Sequence, residues 1–163
     1  MNHASTKTPL AAPRADVAAF EQLTQALVGI TVRSLDALDG AVTVSQFRLL
    51  RTLGGLGRVS CTALAAELGT AASSITRMVD KLEGPGYVVR GTDPNSRSIV
   101  TVEVTDAGRE IVTAVLARRH RLLEAVLDEM SPGDRDHATE AAGRFVLLAG
   151  DAVTAGAKGP VML

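Results

Sequence analysis

Between Gly84-Pro85-Gly86 and Thr105 the hydrophobic pattern of this chain changes period. On either side, apolar residues recur mostly at three- and four-residue steps, the spacing that lines one face of a helix. Inside that window, residues 87–90 and 99–104 are rich in β-branched side chains. A polar stretch, 91–98, separates them and contains Asp93-Pro94-Asn95. The pattern predicts a β-hairpin of two short strands set into an otherwise helical chain. The expected fold is mainly α.

The flanking segments have readable ends. A first helix is expected over 15–39, where Val17, Phe20, Leu23, Leu27, Ile30, Leu35 and Leu38 recur and Gly40 supplies a stop. A second starts at Thr43, which has the capping-box spacing to Gln46. Phe47, Leu50 and Leu53 form its inner face, and Gly54-Gly55 is expected to end it. Short helices follow over 62–68 and 72–83, divided by Gly69. After the hairpin, Thr105-Asp106 opens a long helix to about 130, with Ile111, Val115, Leu122, Val126 and Met130 as its apolar positions. Ser131-Pro132-Gly133-Asp134 starts the last helix, to about 153, with proline at the first helical position. Residues 1–14 are expected to be a flexible arm and 156–163 a flexible tail.

Composition narrows the function. The 163 residues hold 17 Lys and Arg against 18 Asp and Glu, a net charge of −1, which excludes a basic coat over the whole surface. Residues 44–100 are different: Arg48, Arg51, Arg58, Arg77, Lys81, Arg90 and Arg97 stand against Glu67, Asp80, Glu83 and Asp93. Aromatics are 2% of the chain (Phe20, Phe47, Tyr87, Phe145), too few for a single-strand binder built on stacked bases. No apolar run reaches the roughly 20 residues of a membrane span. Residues 1–14 lack the apolar stretch of a secretory signal, so a cytoplasmic protein without membrane contact is expected. The single cysteine, Cys61, excludes an intrachain disulfide and is expected to be a small core filler just before a helix. His3, His120 and His137 are scattered, and Arg118-Arg119-His120-Arg121 is expected to be a solvated or dimer-facing patch rather than a metal site. No nucleophile elbow or phosphate-cradling glycine loop is present, and nothing points to an enzyme.

The chemistry lies between Cys61 and Leu82. A helix-turn-helix needs two short helices crossing near a right angle, a glycine that takes positive φ in the turn, a small residue at the crossing and apolar bracing. Gly69 supplies the turn and Ala65 the crossing. Leu64, Leu68, Ile75 and Met78 supply the bracing. Ser73, Ser74, Thr76, Arg77, Asp80 and Lys81 then fall on other faces of the second helix. Ser, Thr, Arg and Lys are side chains that contact phosphates and base edges. A hairpin directly behind such a unit makes a winged helix. Arg97 sits in the wing turn and Arg90 at the end of the first strand, where an arginine can enter a minor groove. The candidate DNA-binding residues are therefore Ser73, Ser74, Thr76, Arg77, Lys81, Arg90 and Arg97.

The order and spacing of these segments resemble the MarR family of bacterial transcriptional regulators. Leu64-Ala65-Ala66-Glu67-Leu68-Gly69 looks like the family's first helix-turn-helix segment. The run from Ser73 through Thr76-Arg77-Met78-Val79-Asp80-Lys81-Leu82-Glu83 looks like its recognition helix. Gly86-Tyr87-Val88-Val89-Arg90 with Asp93-Pro94 resembles the start of its wing, and Val104-Thr105-Asp106-Ala107-Gly108 the segment that closes it. The chain departs from the family at three places. Ser96 and Ser98 stand where an Asp and an Arg are usual in the wing. Ala71-Ala72 stands where the recognition helix often starts with Ser or Asp and then Pro, so that its N-cap must come from Thr70 or be lost. Thr70 itself takes a turn position that is usually apolar.

The resemblance implies a homodimer that binds palindromic double-stranded DNA through a recognition helix (72–83) and a wing (87–104), as a repressor. It implies dimerisation through 15–42 and 105–155, around a DNA-binding lobe at 43–104. The apolar stripes place Val17, Phe20, Leu23, Leu27, Leu122, Val126, Phe145 and Leu148 at the dimer contact. No cofactor is implied, although many members release DNA when a small aromatic or phenolic effector binds between the dimer region and the lobe. Two other readings remain open on the sequence. One is a degenerate winged-helix dimer that acts through protein partners; the other is a helical small-ligand-binding protein.

Overall fold

The computed structural model describes residues 14–36, 40–93 and 96–156, with the side chains of 96–98 and 151–156 excepted. Six helices and three strands follow in the order α1 Ala15–Leu35, α2 Val44–Leu56, β1 Val59–Ser60, α3 Cys61–Leu68, α4 Ala72–Glu83, β2 Val88–Asp93, β3 Ser96–Val104, α5 Asp106–Asp128 and α6 Pro132–Gly156. Residues 1–13 of the expected arm, residues 37–39 at the expected end of the first helix and the tail beyond 156 lie outside the described residues. The mainly α fold with a small wing stands as expected.

Local chemistry sets most boundaries. The Thr43 hydroxyl accepts from the Gln46 N–H at 3.3 Å, while the Thr43 N–H donates to Gln46 Oε1 at 2.8 Å. This reciprocal pair satisfies two of the free donors at the start of α2. The expected end of α2 at Gly54-Gly55 is corrected. Both glycines continue the helix, which ends where Gly57 takes φ 71° and its N–H donates to Leu53 O. Glycine inside a helix costs only about 1 kcal/mol, so its presence does not mark an end; positive φ does.

One stop device appears twice. After α3, Gly69 is left-handed (φ 62°), Thr70 N–H donates to Ala65 O and Gly69 N–H to Ala66 O. After α4, Gly86 has φ 79°, Tyr87 N–H donates to Leu82 O and Gly86 N–H to Glu83 O. In both places a glycine lets the chain reverse while the last helical carbonyls keep donors. The first sets the helix-turn-helix angle; the second launches the wing.

The wing is larger than the sequence predicts. β2 and β3 pair antiparallel in the register Val88↔Val104, Arg90↔Val102 and Thr92↔Val100, with an irregularity at Thr92/Asp93. The strands thus extend into the stretch expected as turn, because Gly91 and Thr92 pair through backbone groups that side-chain patterning does not report. A third strand was not expected. β1 pairs with β3 through Val59↔Val102 and Ser60↔Thr101, giving the order β1-β3-β2. Two residues are too few to show a two-residue period.

The core lies where these elements meet. Leu49, Leu50 and Leu53 of α2, Leu64 of α3, Ile75, Val79 and Leu82 of α4, Val102 of β3 and Val115 of α5 are fully enclosed. α5 lies against α1 and α2 and carries the lobe's outer wall. Its start is pinned by Thr105, whose hydroxyl accepts from Gly108 N–H (3.1 Å) and donates to Gly86 O (2.7 Å). Ser131 stands just before α6, and its hydroxyl accepts from Asp134 N–H at 3.2 Å.

Candidate nucleic-acid interface

α4 has a strongly sided composition. Ile75, Val79 and Leu82 are buried and Met78 is half-buried, so the opposite face points outward. At 100° per residue the outer ridge is Ser73, Arg77 and Asp80, with Ser74 and Lys81 on one flank and Thr76 and Glu83 on the other. The helix has no side-chain cap: Ala71 stands at the N-cap, and Thr70, the alternative the sequence offers, does not replace it. No side chain therefore accepts from the first N–H groups of α4, and Ser74 N–H turns to Ala71 O at 2.9 Å.

The two flanks differ in charge. Toward the wing, Arg90 Nη1 donates to Glu83 Oε2 at 2.6 Å and Arg90 Nη2 to Asp80 Oδ1 at 2.5 Å. Register explains the contact. Arg90 lies opposite Val102, so its side chain leaves the sheet on the face turned to α4. The Asp80 hydrogen bond, chiefly, holds the Arg90 guanidinium above its ordinary pKa despite partial burial. Thr76, on the same flank, donates its hydroxyl to Ala72 O at 3.1 Å. Toward α2, by contrast, Ser74, Arg77 and Lys81 form a row with no acidic partner among the described residues. With Ser45, Thr70 and Met78 they line an open cavity of about 420 Å³.

The sequence-selected residues are thus brought to one side of the lobe but into three settings. Ser73 and Arg77 stand on the ridge, and Ser74 and Lys81 on the cationic flank. Thr76 and Arg90 sit on the paired flank. The side chain of Arg97, with Ser96 and Ser98, lies outside the described residues. The wing-side cavity, about 620 Å³, is lined by Ser60, Cys61, Thr62, Thr76, Asp80, Arg90, Ile99 and Val100. Cys61 is the first residue of α3, not a residue ahead of it. It is half-buried against the core, and burial pushes its thiol pKa up.

Three features escaped the sequence reading. The first is the Asp80–Arg90–Glu83 cluster, which needs the wing register to be seen. The second is Arg58, whose Nε and Nη2 both reach Glu103 Oε2 (3.0 and 2.8 Å) and tie the β1 approach to β3. The third is Arg119. Its neighbours Arg118, His120 and Arg121 are exposed, but Arg119 folds over the Phe47 ring at 5.4 Å. Burial first, then the like charge of Arg51, lowers its pKa. The clue was spacing: Arg119 follows the enclosed Val115 by four residues and shares its helix face.

The residues chosen for a dimer contact are open in the single chain. Val17, Phe20, Leu23 and Leu27 of α1 are 39–49% exposed, and Val126, Phe145 and Leu148 are 51–70% exposed; Leu122 is half-buried. Phe20 stacks on Phe145 with ring centroids 4.8 Å apart, which joins α1 to α6. Among the described residues no group of three His, Cys, Asp or Glu could hold a metal ion, and no helix is long and apolar enough to cross a membrane.

Comparison with known proteins follows the same outline. The family model of the MarR family matches residues 42–100, the helix-turn-helix and most of the wing. The HTH-type transcriptional regulator Mb0904 of Mycobacterium bovis, uncharacterised by its own name, is 31% identical over 107 residues. The match spans 66% of this chain and 75% of Mb0904. The chain belongs to the MarR family. The match to another curated relative, from Bacillus subtilis, spans 62% of that protein. Among solved structures, RV1404 of Mycobacterium tuberculosis is similar with a TM-score of 0.75 and 30% identity, over 85% of this chain and 96% of that one. Streptococcus pneumoniae FabT, solved in complex with DNA, shares the fold with a TM-score of 0.68 and 19% identity, over 84% and 99%. This MarR-family chain is thus a transcriptional regulator with the family's winged helix.

Proposed function

We propose that this regulator is a cytoplasmic homodimer that binds palindromic double-stranded DNA and represses. In this reading α4 enters the major groove and the β2–β3 wing follows the flanking minor groove. The observation that carries it is the outer face of α4. Arg77, Lys81 and Ser73 are exposed with Ser74 half-exposed beside them, and neither cation has an acidic partner among the described residues. Two cations beside hydroxyls on the outward face of a helix-turn-helix's second helix suit phosphate and base-edge contacts. FabT, with the same fold, is solved with DNA.

The roles divide by position. Ser73 and Arg77, on the ridge, reach base edges; Ser74 and Lys81 take backbone phosphate. Arg90 is assigned a positioning role. It neutralises Asp80 and Glu83, which would otherwise turn two negative charges toward DNA, and it ties the recognition helix to the wing. Arg97 supplies the wing contact. Dimerisation covers the exposed apolar faces of α1 and α6 and duplicates the α4 surface about a two-fold axis. Selection of bound fragments from a random duplex pool tests the reading. A two-fold symmetric site with half-sites about one helical turn apart supports it; recovery of no enriched sequence overturns it.

A further inference from the structure

The cavity between the start of α2 and the cationic flank of α4 has an unusual inventory. Five of its six lining residues are polar: Ser45, Thr70, Ser74, Arg77 and Lys81, above a floor of Met78. None of those five side chains has a hydrogen-bond or ion-pair partner among the described residues, and no carboxylate lines the cavity. Thr70 is the informative member. Its backbone N–H is used in the α3 stop, to Ala65 O, but its exposed hydroxyl supports nothing in the fold. Ser45 meets it from the second position of α2, whose own helix start adds partial positive charge. On the wing side of α4, by contrast, Arg90 pairs with both Asp80 and Glu83, so that side offers no unpartnered cation among the described residues.

Hydroxyl donors and two cations without an acceptor partner suit one chemistry, an oxyanion held from several sides. We propose that this niche seats one backbone phosphodiester of the bound duplex in each half-site, with Thr70 and Ser45 as neutral donors and Lys81 as the cation. The inference rests on the DNA-binding reading above and adds two residues from outside the recognition helix. Anchoring a phosphate there fixes the depth and tilt of α4, which leaves Arg77 at the rim free to turn to a base.

The test uses the full chain and two duplexes several helical turns long, one of mixed sequence and one recovered by selection, each at two salt concentrations. Thr70→Val and Ser45→Ala should each weaken binding about tenfold, equally on both duplexes, with an unchanged salt slope because no charge is lost. Thr70→Ser should restore the affinity, and the melting temperatures should stay at the parent value, since neither hydroxyl has a partner in the fold. Lys81→Gln should flatten the log–log salt slope by about 0.9 per phosphate. Parent-like affinity in both Thr70→Val and Ser45→Ala, in a parent that binds DNA, overturns the niche alone. A parent that binds neither duplex overturns the niche and the DNA-binding reading together. Inorganic phosphate at matched ionic strength is the second arm. If it stabilises the parent but not Thr70→Val, while duplex affinity is the same in both, the niche serves a free anion and the proposal fails.

Discussion

At the scale of single residues, Gly108 stands in a closed junction. A Cβ there would lie 2.2 Å from Tyr87 O and 2.7 Å from Val104 Cγ2. The first of these is backbone, so the start of α5 would have to move off the wing. Gly108→Ala is expected to cost about 1–3 kcal/mol in chemical denaturation, the range for overpacking a closed site; a change within about 0.5 kcal/mol, the range of ordinary surface changes, would show that the junction yields. Cys61 makes a different kind of prediction. Burial raises its pKa, so less thiolate is present at neutral pH than in a free cysteine. Alkylation should be slower than for free cysteine at pH 7 and should keep rising above the pH where the free thiol levels off. A rate equal to or above that of free cysteine would contradict the packing described for it. The sequence read Cys61 as a small core filler just before a helix, whereas it is half-buried as the first residue of α3. The sequence could not show Arg90 engaged by Asp80 and Glu83, because that contact is made by strand register across a gap of 7 to 10 positions and carries no local pattern.

At the scale of elements, the legible boundaries were those made by short-range chemistry. Thr43 with Gln46, Gly69, and Thr105 with Gly108 are contacts within a few residues, and such spacing is visible in a string of letters. β1 was invisible because its pairing partners, Thr101 and Val102, are some forty positions away. The end of α2 was misjudged because three glycines, Gly54, Gly55 and Gly57, compete for it and only backbone conformation decides. α4 offers a direct check on this local logic. Its N-cap is alanine and has no side-chain acceptor for the free N–H groups. Ala71→Ser supplies one, and the melting transition should show a gain of about 1 kcal/mol. An unchanged transition would mean that the N-terminus of α4 is already satisfied by solvent at no cost.

At the scale of the whole molecule, α1 and α6 expose the apolar side chains that the proposed dimer would cover. Val146, Leu147 and Leu148 are 68–73% exposed in succession, beside the Phe20–Phe145 stack. Sedimentation at micromolar concentration should give a particle of twice 16.9 kDa. A helical monomer there would leave the recognition helix without its symmetry mate. The central claim is that a dimer reads duplex DNA with the outer face of α4, through Arg77 and Lys81. The most direct measurement of it is the affinity of Arg77→Ala, against the parent, for the duplex recovered by selection and for single-base variants of it. The expected result is a loss of about 1–3 kcal/mol with relaxed preference at one position per half-site. A folded Arg77→Ala dimer that binds every variant as the parent does would contradict the claim.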